Sequence, residues 1–144
     1  MNKFYFGEDG KGKLVRDKLA DVISAEGHEV DSVKLNKSDL ALAIVNKILE
    51  EQSELLQAVE SKDQNDIKFE IADILTLVES LAKVCGIEMK DIDNAKFEKA
   101  SKKGGFVEGV QINSVTLSPN SEGYEFWLKH FRENSGRYIE EKSE

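Results

Sequence analysis

The two stretches of sequence that decide the fold are KILEEQSEL, residues 47–55, and FEIADI, residues 69–74. Reduced to their acids they read Glu-Glu-x-x-Glu and Glu-x-x-Asp, with 15 residues between Glu54 and Glu70. Both stretches lie in sequence whose apolar residues recur with the period of an α-helix. The polar run SKDQN at residues 61–65 predicts a turn between them. We therefore expect two antiparallel helices that bring the acids to the same level.

The acids occupy positions where apolar residues are expected. At about 100° of rotation per residue, Glu51 projects into the apolar stripe of the first helix and Glu54 lies at its edge. Glu70 projects into the stripe of the second helix, and Asp73 lies at its margin. The stripes consist of Ile44, Ile48, Leu55 and Val59 on the first helix and Ile67, Ile71, Ile74, Leu77, Val78 and Leu81 on the second. Ionised carboxylates in an apolar seam are costly unless they are paired, and nearby like charges raise that cost. The pattern therefore predicts a site for a hard divalent cation, and Mg²⁺ suits carboxylate ligands.

The composition restricts the fold class and the location. With 144 residues, 40% of them hydrophobic, and a single proline, the chain is expected to form one helical domain spanning residues 1–144. A net charge of −8 argues against a general nucleic-acid-coating role. The single cysteine, Cys85, fits a reducing compartment, and its place on the second apolar stripe predicts a buried side chain. Residues 1–13 lack the apolar core of a signal peptide, and no apolar run reaches the roughly 18 residues needed to cross a bilayer, so we expect a cytoplasmic protein without a membrane partner.

The rest of the chain completes an all-α bundle of about four to five helices with a short β arm. Residues 1–12 predict a loop or extended arm, and a helical pattern runs from Lys13 to Gly27. A fourth helix is expected over about residues 88–102. The β-branched and aromatic residues at 106–117 predict the β arm after that helix. An extra amphipathic helix is expected over about residues 121–134.

Basic residues gather in two places in this acidic chain. The first place is the start of the first predicted helix, and the second is the latter half of the fourth. The residues concerned are Lys13 and Arg16, and then Asn94, Lys96, Lys99 and Lys103. An exposed helix face explains the first group, and the attraction of basic side chains to a helix C-terminus explains the second. The functional alternative is a set of phosphate contacts facing the acids.

Taken in order, these blocks resemble the all-α nucleoside triphosphate pyrophosphohydrolases, the MazG-like group that includes phosphoribosyl-ATP pyrophosphohydrolase and dimeric dUTPases. The two acidic stretches resemble the signature of that group. KLVRDK at 13–18 and KxxxKGGF at 99–106 resemble the opening and closing blocks of a small single-domain branch, and NxKF at 94–97 resembles MazG proper. The resemblance covers about residues 13–112. Lys103 stands where arginine is usual, so a point charge replaces a bidentate phosphate contact.

The resemblance implies a reaction and a set of site residues. The reaction would be hydrolysis of a nucleoside triphosphate, or a related phosphoribosyl nucleotide, to the monophosphate and pyrophosphate, in a role such as nucleotide-pool house-cleaning. Mg²⁺ or Mn²⁺ would be held by Glu51, Glu54, Glu70 and Asp73. Glu50, which points away from the apolar stripe, would be a further ligand or would orient the water, and with Glu51 would form the catalytic pair. Phosphates would be held by Lys96, Lys99, Lys103 and Asn94, joined by Lys13 and Arg16. A homodimer or homotetramer is also implied.

Three other interpretations differ from this one in kind. A di-iron carboxylate bundle requires Glu-x-x-His pairs, and neither His28 nor His130 follows an acid at that spacing in the two acidic helices. A non-enzymatic helical interaction module would leave the acids exposed or paired with a partner's basic groups. A third alternative is a family member that keeps the fold and has lost catalysis. The sequence leaves the nucleotide and the number of metal ions open.

Overall fold

The computed structural model describes residues 1–141, so residues 142–144 of the predicted 1–144 domain lie outside the described residues. The described part contains five helices and no strand. They are α1 (Leu19–Ala25), α2 (Lys37–Ser61), α3 (Gln64–Cys85), α4 (Met89–Lys103) and α5 (Tyr124–Glu133). The all-α prediction is confirmed, but the predicted β arm is not formed. Residues 106–117 form turns and irregular chain, because no neighbouring strand in the described chain supplies the hydrogen bonds of a ladder.

The acidic helices α2 and α3 form a hairpin with a two-residue turn. Asn36 caps α2 by accepting a hydrogen bond from the backbone N–H of Asp39 at 2.9 Å. Lys62 ends α2 in the left-handed conformation, with φ at 60°. Asp63 then caps α3 by accepting hydrogen bonds from the backbone N–H groups of Asn65 and Asp66. Among the helices of residues 1–141, only α2 and α3 pack along their length, so this hairpin is the frame of the molecule.

The core of the hairpin is small. Its buried apolar residues are Ile44, Ala58 and Ala82, and Glu51 is buried beside them with 5% of its surface exposed. Other members of the predicted stripes are half-buried, namely Ile48, Leu55, Ile67, Ile74, Leu77 and Leu81. The burial predicted for four further residues is wrong, because a pair of helices covers only one side of each; these are Val59, Ile71, Val78 and Cys85.

The first helix begins later than its pattern predicts. The structure places residues 13–18 outside any helix, and α1 starts at Leu19. Lys13 and Arg16 instead form ion pairs with Glu50 of α2 and Asp73 of α3. These contacts bind the segment to both arms of the hairpin, and they explain why the local helical pattern does not decide its conformation.

The chain divides into two compact units, Met1–Lys103 and Gly104–Glu144. Within the second unit, α5 spans the core of the predicted 121–134 helix. Its rings form a cluster in which the centroid of Trp127 lies 5.2 Å from Phe126 and 5.6 Å from Phe131. The expectation of one domain over residues 1–144 stays a prediction. None of the helices in the described part is long and apolar enough to span a membrane.

Candidate metal centre

The hairpin brings three of the predicted acids to one point. Glu51 on α2 and Glu70 and Asp73 on α3 each offer a carboxylate oxygen, and these oxygens lie within 4.8 Å of one another. Glu51 is buried, whereas Glu70 and Asp73 are half-buried. This spacing is close to that of oxygen ligands around one divalent cation. The convergence predicted from helical period and turn length is therefore present.

Glu54, the fourth predicted ligand, lies beside this cluster. Its side chain is more exposed than those of the other three. Partial burial of the carboxyl group and then the charge of Glu51 hold the pKa of Glu54 above its usual value. Glu54 in turn is one of the charges that act on Glu70. The four carboxylates thus form one electrostatic group.

Glu70 has a buried carboxylate oxygen that no group of the described residues satisfies. Its Oε2 atom is buried and has no hydrogen-bond partner. Burial raises the pKa of Glu70, and the hydrogen bond with Glu51 and the charges of Glu54, Glu51 and Asp73 raise it further. A buried acceptor without a partner loses its hydration free energy and gains nothing in return. A cation would satisfy this oxygen and remove the repulsion, so the donor set fits Mg²⁺ or Mn²⁺.

Three basic side chains of the protein surround the acids. Lys47 donates to Glu50 at 2.9 Å and lies 2.8 Å from a carboxylate oxygen of Glu51. Burial lowers the pKa of Lys47, but the hydrogen bonds and charges of these two glutamates outweigh burial, and the net pKa is raised. Lys13 donates to Glu50 at 2.9 Å, and Arg16 pairs with Asp73. Lys13 and Arg16, assigned above to phosphate, therefore lie within reach of the cluster.

Lys47 contacts the site residues Glu50 and Glu51, although the sequence analysis does not assign it to the site. The signal that could have identified it is its spacing, three residues before Glu50 and four before Glu51. Side chains at these spacings lie on the same face of a helix and can pair. Because Glu51 is nearly inaccessible to water, a pairing with Lys47 provides the positive charge that its carboxylate requires.

Glu50 lies apart from the cluster, as its place in the helical period predicts. Hydrogen bonds from Lys13 and Lys47 lower its pKa. A carboxylate with two ammonium partners holds a proton weakly and is a poor general base. This environment favours a role in orienting Lys13 and Lys47, and the predicted role of Glu50 in orienting water stays a prediction.

The basic segment of α4 is not brought to the acids in the single chain. Asn94, Lys96, Lys99 and Lys103 all lie on α4, which has no buried residue, and α4 does not pack along the hairpin. Lys96 lies 3.5 Å from Asp93 of its own helix. Lys99 and Lys103, together with Lys102, line a cavity of about 320 Å³ on α4. Their assignment to phosphate stays a prediction.

The fold and the site together define an all-α protein with a carboxylate cluster suited to a divalent cation. Residues 41–104 match the family model described as the MazG nucleotide pyrophosphohydrolase domain. This segment holds most of α2 and all of α3 and α4, and its match to this family model confirms the predicted resemblance. The opening block at residues 13–18 lies outside the match. Comparison with curated proteins and with solved structures gave no match.

Proposed function

We propose that this protein is a metal-dependent nucleoside triphosphate pyrophosphohydrolase that releases pyrophosphate and a nucleoside monophosphate. The observation that carries the proposal is the cluster of Glu51, Glu70 and Asp73, with oxygens within 4.8 Å of one another. The cluster lies inside the segment that matches the pyrophosphohydrolase family. The match supports the reaction class, and the buried oxygen of Glu70 supports the requirement for a cation.

In this proposal the acids bind the cation, and a neighbouring lysine orients one of them. Glu51, Glu70 and Asp73 are the ligands in this proposal, and Glu54 joins them from the next turn of α2. A bound Mg²⁺ or Mn²⁺ neutralises charge on the polyphosphate and lowers the pKa of a coordinated water. Lys47 fixes the carboxylate of Glu51, which we retain as a catalytic residue in its capacity as a ligand.

The phosphate contacts come from two sources in this proposal. Arg16 and Lys13 already lie at the acids, where each can exchange a carboxylate for a phosphate oxygen. The second source is the α4 set of Asn94, Lys96, Lys99 and Lys103. These residues would stabilise the negative charge that spreads over the polyphosphate during hydrolysis.

Exposed apolar side chains on the hairpin support a homodimer or homotetramer. The largest of them on α2 and α3 are Leu42, Leu49, Leu56, Phe69 and Leu75, each at least 55% exposed. Apolar side chains exposed to this extent are candidates for contact with a partner. A second copy would also provide packing for α4, which the single chain leaves exposed. We expect such an assembly to act in the cytoplasm on nucleotides, in house-cleaning of the nucleotide pool, without a nucleic-acid polymer as partner.

The test is pyrophosphate release from a panel of canonical and modified nucleoside triphosphates, with Mg²⁺, with Mn²⁺ and with a chelator. We expect release with at least one triphosphate, loss of release with the chelator, and loss in Glu70→Gln. Glu79→Gln is the matched control, since Glu79 is an exposed acid on the same helix and should not matter. Absence of release with every triphosphate, or full turnover by Glu70→Gln, would contradict the proposal. In that case a helical module that binds a basic partner through these acids would be favoured.

A further inference from the structure

A cavity of about 700 Å³ opens beside the carboxylate cluster on the outer face of α2. One face of the helix lines it with Glu50, Ser53, Glu54 and Gln57, which follow the i, i+3, i+4, i+7 spacing of a single helical face. Glu50 and Glu54 lie within one turn of Glu51 on α2, so the cavity adjoins the cluster. Ser53 and Gln57 add neutral hydrogen-bonding groups to the same face.

The opposite wall comes from the N-terminal arm, which lies outside the segment that matches the family. Gly7, Glu8 and Lys13 line this side. The arm forms a closed loop here, since the N–H of Gly12 donates to the carbonyl of Phe6 at 2.8 Å and that of Gly10 donates to Gly7 at 3.0 Å. Glu8 of this loop lines the cavity.

The loop conformation depends on glycine at position 7. The φ angle of Gly7 is +84°, and a Cβ atom there would lie 2.7 Å from the carbonyl oxygen of Gly12. Any other residue would meet both a strained backbone conformation and a backbone clash. The closed conformation in which Glu8 lines the cavity therefore requires glycine at position 7.

The lining of the cavity contains two kinds of group, and these indicate what it would hold. Beside the cluster, the proposed cation together with Lys13 and Arg16 would attract the polyphosphate. The hydroxyl of Ser53, the amide of Gln57 and the carboxylate of Glu8 offer hydrogen bonds to a polar, uncharged group. A carboxylate accepts hydrogen bonds and repels anions. The wall formed by Glu8 therefore suits the sugar hydroxyls and N–H donors of a nucleoside, and it opposes a further phosphate.

We propose that this cavity is the nucleoside subsite, in which Ser53, Gln57 and Glu8 bind the sugar and base of a nucleoside triphosphate. The inference rests on the proposed function and deepens it. Of the two substrate classes left open by the sequence, it selects the simple nucleoside triphosphate over a phosphoribosyl nucleotide, whose second phosphate would meet Glu8. It also adds the N-terminal arm, through Glu8, to the α2 residues that would bind the nucleoside.

The first experiment measures pyrophosphate release by the full-length protein from ATP, GTP, CTP and UTP, with inorganic tripolyphosphate as a competing inhibitor. In Gln57→Ala and in Glu8→Gln, the KM for the best nucleoside triphosphate should rise about tenfold or more, as expected for a lost hydrogen bond to a bound ligand. The inhibition constant of tripolyphosphate should stay unchanged, because it has no nucleoside. Gln52→Ala is the matched control, an exposed glutamine on α2 outside the cavity lining.

The loop is tested separately with Gly7→Ala, which should raise the KM in the same way and leave the effect of Mg²⁺ on the melting temperature intact. Gly27→Ala is its control, since Gly27 also has a positive φ but nothing lies within 4 Å of its added Cβ. If the wild-type protein releases pyrophosphate while all three cavity variants keep its KM, the subsite is wrong and the proposed function stands. If the wild type releases none from any triphosphate, both are wrong.

The second experiment compares ATP with N1-phosphoribosyl-ATP at equal concentrations. We expect the wild type to prefer ATP in kcat/KM, and Glu8→Gln to reduce that preference by several-fold, because the substitution removes the negative charge and keeps the shape of the side chain. A wild-type preference for phosphoribosyl-ATP would overturn the assignment of Glu8. So would an unchanged preference in Glu8→Gln.

Discussion

The acids of the α2–α3 hairpin and the lysines of α4 carry opposite charges, and they also differ in how the chain positions them. Glu51, Glu70 and Asp73 come from two helices joined by a two-residue turn, and they meet within 4.8 Å in a single chain. The lysines of α4 stand on a helix with no buried residue, and two of them pair with acids of their own helix. The short turn between α2 and α3 positions the acids, whereas no other helix of the described residues packs along α4 to position its lysines.

The difference predicts that substitutions in the hairpin will affect the chemistry and those in α4 will affect binding. It also predicts that the cation can be bound without α4. The experiments below separate the two regions by their effects on turnover, on stabilisation by metal and on substrate affinity.

The largest effect is expected from Glu51→Gln. Substituting groups that only orient metal ligands already costs about 10–100-fold in metal affinity or activity, so loss of a ligand should reduce kcat by more than about 100-fold. Helical circular dichroism should stay unchanged, since the amide keeps the shape of the side chain. Glu60→Gln, at an exposed position on the same helix, should retain wild-type turnover. Near-normal kcat in Glu51→Gln would remove this residue from the site.

The stabilisation of the protein by metal should depend on residues of the α2–α3 hairpin and not on those of α4. A ligand at 100 times its dissociation constant stabilises a protein by about 2.7 kcal/mol, which for a chain of this size corresponds to a rise in melting temperature of roughly 5 °C or more. Differential scanning fluorimetry with millimolar Mg²⁺ should show such a rise in the wild type and in Lys99→Met. Asp73→Asn should lose most of it. An equal loss in Lys99→Met would show that α4 contributes to the metal site.

A smaller effect is expected at Lys103, and it should appear in KM. Lys103→Ala should raise the KM for the triphosphate about tenfold, because a charged hydrogen bond to phosphate is lost. Lys103→Arg should keep or lower the KM, since a guanidinium can bind phosphate through two hydrogen bonds. Lys90→Ala, at the other end of α4, is the control. Steady-state kinetics that show no change in KM for Lys103→Ala would exclude this lysine from phosphate binding.

The positions of Glu51 and Glu70 could be predicted from sequence because two simple quantities fix them. The helical period places each acid in an apolar stripe, and the short turn sets the two stripes at the same level. Both quantities are local. The burial of Val59 and Ile71 could not be predicted in the same way, because the period says which residues share a face but not what covers that face.

Residues 13–18 show why other parts of the site could not be predicted. Their apolar spacing predicts a helix, yet Lys13 and Arg16 pair with acids 37 and 57 residues away. Tertiary contacts of this kind override local propensity. Similarly, the cavity beside Glu54 depends on the N-terminal arm meeting α2, and nothing in the sequence of either segment indicates that contact.

The smallest predicted effect concerns stability without metal. Glu70→Gln should raise the melting temperature of the metal-free protein by a few degrees at neutral pH, because it removes a charge that burial and the neighbouring acids disfavour. The amide keeps the shape of the side chain and can donate a hydrogen bond to a neighbouring carboxylate. Calorimetry in metal-free buffer measures this difference. A lower melting temperature for Glu70→Gln would mean that the crowded carboxylates stabilise the hairpin by themselves.

The difference in melting temperature between the wild type and Glu70→Gln should depend on pH, because the pKa of Glu70 is raised. A carboxyl group whose pKa is higher in the folded state than in the unfolded state favours folding below its unfolded pKa, and this contribution is lost as the pH rises through the folded value. The wild type should therefore match Glu70→Gln near pH 4, about the ordinary pKa of glutamate, and fall behind it as the pH rises towards neutrality. Glu50, whose pKa is lowered, has the opposite dependence but is present in both proteins and cancels. Millimolar Mg²⁺ at neutral pH should reverse the order, because only the wild type keeps the full set of ligands. In a metal-binding site, the carboxylate lowers the melting temperature without the cation and raises it with the cation. A structural ion pair would not show this reversal.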